Sequence, residues 1–126
     1  MPPPARVRLG RVYDGRTAQD GIRVLVDRLW PRGLTREQAD LDEWCPQIAP
    51  SPALRRWYGH DPARFDEFCR RYRAELDDPG RAEALAHLRA VAQQRTSTLL
   101  TATRQPGTSH AAVLADLLDE GPRTDR

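Results

Sequence analysis

Asp27, Arg28, Trp30 and Arg32 crowd into the segment Asp27-Arg28-Leu29-Trp30-Pro31-Arg32-Gly33, directly after the apolar run Ile22–Val26. Two guanidiniums offer bidentate forks for a phosphate or carboxylate, and the indole of Trp30 offers a face for stacking. A strand that ends in charge and then breaks at Pro31 and Gly33 reads as the rim of a ligand site in an α/β fold. The same residues also allow a plainer reading, a structural ion pair between Asp27 and one arginine with Trp30 as packing.

A second group is Arg55-Arg56-Trp57-Tyr58-Gly59-His60-Asp61-Pro62. His60 titrates near neutral pH, so His60 and Asp27 are the candidates for proton transfer, with Asp61 or Glu67 to orient the imidazole. Helix punctuation explains much of this group without chemistry: Gly59 as a stop, Asp61 as an N-cap, His60 between them. Arg55 and Trp57 are candidate ligand contacts. A third group, Thr101, Thr103, Arg104 and the turn Gln105–His110, precedes a helix whose free N–H groups favour anions. Arg104, Ser109 and His110 are therefore ligand-binding candidates.

Metal ligation is not indicated. His60, His87 and His110 are dispersed, and Cys45 and Cys69 fit no zinc spacing. His87 falls on the charged side of its helix and is expected in solvent. Cys69 falls on an apolar stripe, where a thiol is core. Cys45 is a remote nucleophile candidate with no base beside it. Ser51, before Pro52, reads as a cap rather than a nucleophile. No cofactor is indicated.

Positioning these groups requires strands and helices in alternation. Three strands are expected, Arg6–Tyr13 with a bulge at Gly10, Ile22–Leu29 covered on both faces, and Thr96–Thr103. Thr35 with Gln38 reads as a capping box. Ser51-Pro52 and Asp61-Pro62 open two more helices, the second carrying Phe65, Phe68, Cys69, Tyr72 and Leu76 at helical spacing. A fourth helix runs to about Gln94, and the last starts near Ser109. Helices between the second and third strands imply a parallel crossover. The fold class is α/β, a single small domain over 6–119 whose short, mostly parallel sheet is flanked by helices, with flexible tails at 1–5 and 120–126.

All 20 basic residues are arginine, which removes lysine Schiff-base chemistry and a Walker-type phosphate loop. The formal net charge of +2 and the interspersed acids argue against a dedicated nucleic-acid binder. Arg6, Arg8 and Arg11 alternate with apolar residues, a pattern that fits a strand with one solvated face. The chain lacks an apolar run long enough to span a membrane or act as a signal peptide, so the expected setting is the cytoplasm, with both thiols reduced.

The motifs from Val26 to Gly33, Leu41-Asp42-Glu43-Trp44, Ala49-Pro50-Ser51 with Leu54-Arg55 and Trp57, Gly59 to Pro62, Arg71-Tyr72 and His110 to Leu114 occur in one order. Together they resemble the YeaO-like family, a bacterial domain of unknown function (number four-eight-eight). The resemblance runs from about Val7 to Leu118. It implies a small cytoplasmic α/β domain and supplies no activity. The family's usual text after the third strand is close to Ala-Ala-Lys-Asp; here Thr101-Ala102-Thr103-Arg104-Gln105 keeps the charge but loses the acid and the lysine's point-like geometry. The expected function is binding, with or without acting on, a small anion through Arg28, Trp30, Arg32, Arg55, Trp57, Arg104, Ser109 and His110. The rivals are a nucleic-acid module using Arg6, Arg8, Arg11, Arg55 and Arg56 with Trp57 and Tyr58, and a homodimer formed through the Trp-rich segments.

Overall fold

The computed structural model describes residues 6–120, so the tail expected at 1–5, and the one expected at 120–126 beyond the helical Glu120, lie outside the described residues. Strands β1 (Val7–Arg11), β2 (Ile22–Leu25), β3 (Glu43–Trp44) and β4 (Ser97–Thr101) pair in parallel in the order β1-β4-β2-β3. The last strand in sequence is therefore central, with β1 on one side and β2 on the other. Helix α1 (Arg36–Ala39) lies on the crossover from β2 to β3. Helices α2 (Pro52–Tyr58), α3 (Phe65–Glu75) and α4 (Pro79–Gln94) fill the path to β4, and α5 (His110–Glu120) follows it. None of the described helices is long and apolar enough to cross a membrane.

Alternation along the strands splits the core in two. Val24 and Leu99 face a large cluster with Leu54 and Tyr58 of α2, Phe68 and Tyr72 of α3, Leu88 of α4, and Val113 and Leu114 of α5. Leu25 and Leu100 face a smaller cluster with Val12 and Ala39, closed by Trp30, Leu34 and Leu41. The helices thus pile on one face, while α1 and the loop before it cover the other.

Sequence punctuation sets the helix ends. Thr35 and Gln38 form the expected reciprocal capping box, at 3.0 and 2.9 Å. Ser51 Oγ accepts from Leu54 N, and α2 stops at Gly59 in the left-handed region. Asp61 caps a 3-10 turn, Pro62–Arg64, that leads into α3. His60, between the two signals, also has a left-handed backbone, φ 56°.

The strands depart from expectation in several ways, and β1 spans Val7–Arg11 instead of Arg6–Tyr13. β2 ends at Leu25, not Leu29, because Asp27 Oδ2 takes the Ala102 N–H at 2.8 Å and a side chain replaces the next rung of the ladder. β4 is likewise shorter than Thr96–Thr103. Gly10 forms no bulge: Leu9, Gly10 and Arg11 pair in unbroken register with Leu99, Leu100 and Thr101. A Cβ there would lie 3.3 Å from Leu100 Cδ2, so the glycine makes room for that leucine. The short β3 was not anticipated, since two residues carry no period.

Arg23, within the run that reads as apolar, is only 1% exposed. Its guanidinium donates to Asp20 Oδ2 at 2.9 Å and to the carbonyls of Asp40, Ala39 and Asp14. Asp42 accepts from the Arg23 backbone N–H and from Arg16. These bonds tie the loops at the amino end of the sheet. The opposite end is left for a site.

Candidate functional site at the carboxyl edge of the sheet

Parallel pairing puts the carboxyl ends of β2 and β4 side by side, and a cavity of about 680 Å³ opens there. Asp27, Arg28, Trp30 and Arg32 enter it from the loop after β2. Arg55 and Arg56 enter from α2, with His60 beyond its end. Ser109 and His110 enter from the start of α5. Two segments far apart in sequence, at residues 27–32 and 55–60, therefore share one cavity.

Asp27 is fixed at three points. Its carbonyl accepts from Trp44 Nε1 at 2.8 Å, its Oδ2 accepts from Ala102 N, and its Oδ1 lies 3.4 Å from His110 Nε2. Oδ1 is buried and has no hydrogen bond. His110 Nε2 is also 3.0 Å from the Val26 carbonyl. Burial lowers the His110 pKa, with Arg55 and His60 pushing the same way and Asp27 opposing. The imidazole is therefore neutral at pH 7. Tyr72 meets its ring edge-on, with centroids 6.0 Å apart.

Asp27 and His60, the two candidates for proton transfer, line one cavity, and the histidine that the acid faces is His110. His60 lines the same cavity but makes no side-chain hydrogen bond or ion pair among the described residues, and its ring lies 6.2 Å from that of Tyr58. The signal for the Asp27–His110 pair was present, in an acid just past β2 and a histidine opening the helix after β4. It needed the adjacency of those two strands to be legible.

The arginines differ in kind. Arg8 pairs with Asp20, and Arg11 donates to the carbonyls of Thr103 and Ala102, so these two arginines brace the sheet. The side chains of Arg28, Arg32, Arg55 and Arg56 have no carboxylate or carbonyl partner among the described residues. The Arg32 carbonyl accepts from Tyr13 Oη at 2.9 Å, which anchors the loop carrying its side chain. On the other wall, Glu75 accepts from the Ser51 backbone N–H and pairs with its hydroxyl, anchoring the start of α2.

Trp30 lines the cavity and also packs: its Nε1 donates to the Leu34 carbonyl at 2.6 Å, and its ring meets Trp44 edge-on at 5.4 Å. Trp57 and Arg104, expected in the site, lie outside it. Trp57 is in contact with Arg64 and Arg71, whose guanidiniums sit 5.3 and 4.1 Å from the ring centre. Arg104 is exposed, since β4 ends before it. Tyr58 is buried and donates to the Thr108 carbonyl, so it presents no open stacking face. His87 is exposed, as its place on the charged side of its helix implied, and its Nε2 lies 2.7 Å from Glu43 Oε2 of β3. Burial and Glu43 push the Cys45 thiol up to about 11, which makes it a poor nucleophile. No group of three or more metal-binding side chains gathers among the described residues.

A small all-parallel domain with its cavity at the carboxyl edge, carrying the Asp27–Gly33 and Gly59–Pro62 motifs, belongs to the DUF488 family. Within that family the matching profile is the inactive DUF488-N3 subclade, over residues 6–126. The chain is 50% identical to the uncharacterised protein Rv3073c of Mycobacterium tuberculosis over 114 residues, 90% of this chain and 94% of that one. It is 38% identical to the uncharacterised protein YeaO of Escherichia coli over 112 residues, 89% and 96% of the two chains. No solved structure matches it.

Proposed function

We propose that this chain is a binding domain that holds a small anionic ligand, phosphate- or carboxylate-bearing, at the carboxyl edge of its sheet. The observation that carries this reading is the cavity's charge. Arg28 and Arg32 on one wall and Arg55 and Arg56 on the other lack acidic partners, while Asp27 is the sole acid among the described lining residues and is engaged by Ala102 N and His110. Guanidiniums gathered without carboxylates repel one another, and a bound anion relieves that repulsion through charge-assisted bonds. Retention fits the inactive description of the subclade better than turnover. The setting in this reading is the cytoplasm, where the free Cys45 and Cys69 stay reduced.

Calorimetric titration with inorganic phosphate and with citrate tests the proposal. Wild type is expected to bind at least one of them, more weakly as salt rises. The variants Arg28→Ala/Arg32→Ala and Arg55→Ala/Arg56→Ala should each lose about tenfold or more, as expected for a lost charge-assisted bond. Absence of binding to wild type, or equal binding by a variant lacking all four arginines, would refute it.

A further inference from the structure

We propose that His110 Nδ1 is the hydrogen-bond acceptor of this cavity, and that the ligand is an anion which also carries an alcohol hydroxyl, as a phosphorylated polyol does. The proposal rests on the anion-binding reading above. It starts from the ring's other nitrogen. His110 Nε2 faces the Val26 carbonyl at 3.0 Å and Asp27 Oδ1 at 3.4 Å. Both are acceptors, and Asp27 Oδ2 is already taken by the Ala102 N–H. The proton of the neutral ring must therefore sit on Nε2, which leaves the lone pair on Nδ1. Nδ1 has no hydrogen-bond partner among the described residues.

The hydroxyls of Ser109 and Tyr58 are committed. Ser109 Oγ donates to the Pro106 carbonyl and accepts from Ala111 N, and Tyr58 donates to Thr108. The four cavity arginines only donate. A fully ionised anion would satisfy them but present another acceptor to Nδ1. A ligand hydroxyl supplies the missing donor, and about 680 Å³ holds a small phosphate ester comfortably. Asp27, by holding the tautomer, is a positioning residue.

Two measurements test this on the full chain. Long-range proton–nitrogen correlation spectra at pH 8, with the three histidines assigned through His60→Gln and His87→Gln, should show His110 protonated at Nε2 alone. Protonation at Nδ1 would overturn the proposal. Calorimetry at pH 8, where phosphate monoesters are dianions without a P–OH donor, then compares glycerol 3-phosphate with n-propyl phosphate, which has the same length and charge. Glycerol 3-phosphate is expected to bind about threefold to tenfold more tightly, the worth of one neutral hydrogen bond. That ratio should fall to about one in His110→Phe. Equal affinities in wild type, or binding of neither ester, would overturn the hydroxyl proposal; the anion reading falls only if phosphate and citrate also fail to bind.

Discussion

Arg23 and His60 are both charged or chargeable residues in unusual places, and they make opposite predictions. Arg23 sits inside β2 with its guanidinium buried and its bonds directed to Asp20 and three carbonyls. Replacing it by alanine removes one of the two guanidiniums on the buried Asp20 and the donor to three carbonyls, loosening two loops, so Arg23→Ala should cost about 3–5 kcal/mol in denaturant titrations. His60 holds a left-handed backbone that glycine adopts freely. His60→Gly should therefore raise stability by about 1 kcal/mol while weakening anion binding, measured by urea melts and calorimetry on the same variant. A loss of stability instead would mean that the ring itself supports the fold. Sequence placed both residues correctly but misread Arg23, because periodicity registers an apolar run and cannot see that four acceptors converge on one cation. His60 was legible as both turn and candidate site, and the structure gives it a left-handed backbone and a place in the cavity lining.

At the scale of elements, strong local signals were legible and weak ones were not. The Thr35 capping box and the Ser51 and Asp61 caps act within a few residues, so sequence reveals them. β3 is stabilised mainly by its neighbour, with Cys45 N donating to the Leu25 carbonyl just beyond the paired residues. The shortfall of β2 has the same origin, since the ladder ends where a distant amide claims Asp27. Gly21 provides a sharp test of how the strand is entered. Its φ is +64°, and a Cβ would lie 2.0 Å from the Thr96 carbonyl oxygen, which also accepts from Ile22 N at 2.9 Å. Gly21→Ala should lower stability by about 2–4 kcal/mol and broaden the amide spectrum at β2 and β4, whereas alanine at the open Gly15 should leave both nearly unchanged.

For the whole molecule, acid stability follows from the groups whose titration folding alters. Burial works against the ionised Asp20 and Asp42, but the Thr17 and Arg23 bonds to Asp20, and the Arg23 and Arg16 bonds to Asp42, outweigh it and lower both pKa values. Their stabilisation is fully present above the ordinary value of 3.8 and is lost as pH falls through the lowered folded values. Burial lowers His110 from 6.5, so the unfolded chain takes up that proton first and stability declines as pH drops below 6.5. Denaturant melts should show a shallow decline starting near pH 6.5 and a steep one below about pH 4. The shallow decline alone should vanish in His110→Phe. The site was half legible for a topological reason: residues 27–32 and 55–60 announce themselves by composition, but which histidine meets Asp27 depends on β4 lying beside β2.

That placement of β4 also governs how the chain can fold as it is made. β1 and β2 are each bonded along β4, and neither pairs with the other. A ribosome that has released β1, β2 and the first four helices has released a sheet without its middle. Until residues 97–101 emerge, two parallel strand edges stay open, and only the short β2–β3 pair can close. Synthesis from residue 97 onward is thus the step at which the domain becomes able to close, and truncation before Ser97 should yield material that chaperones or proteases recognise as unfinished.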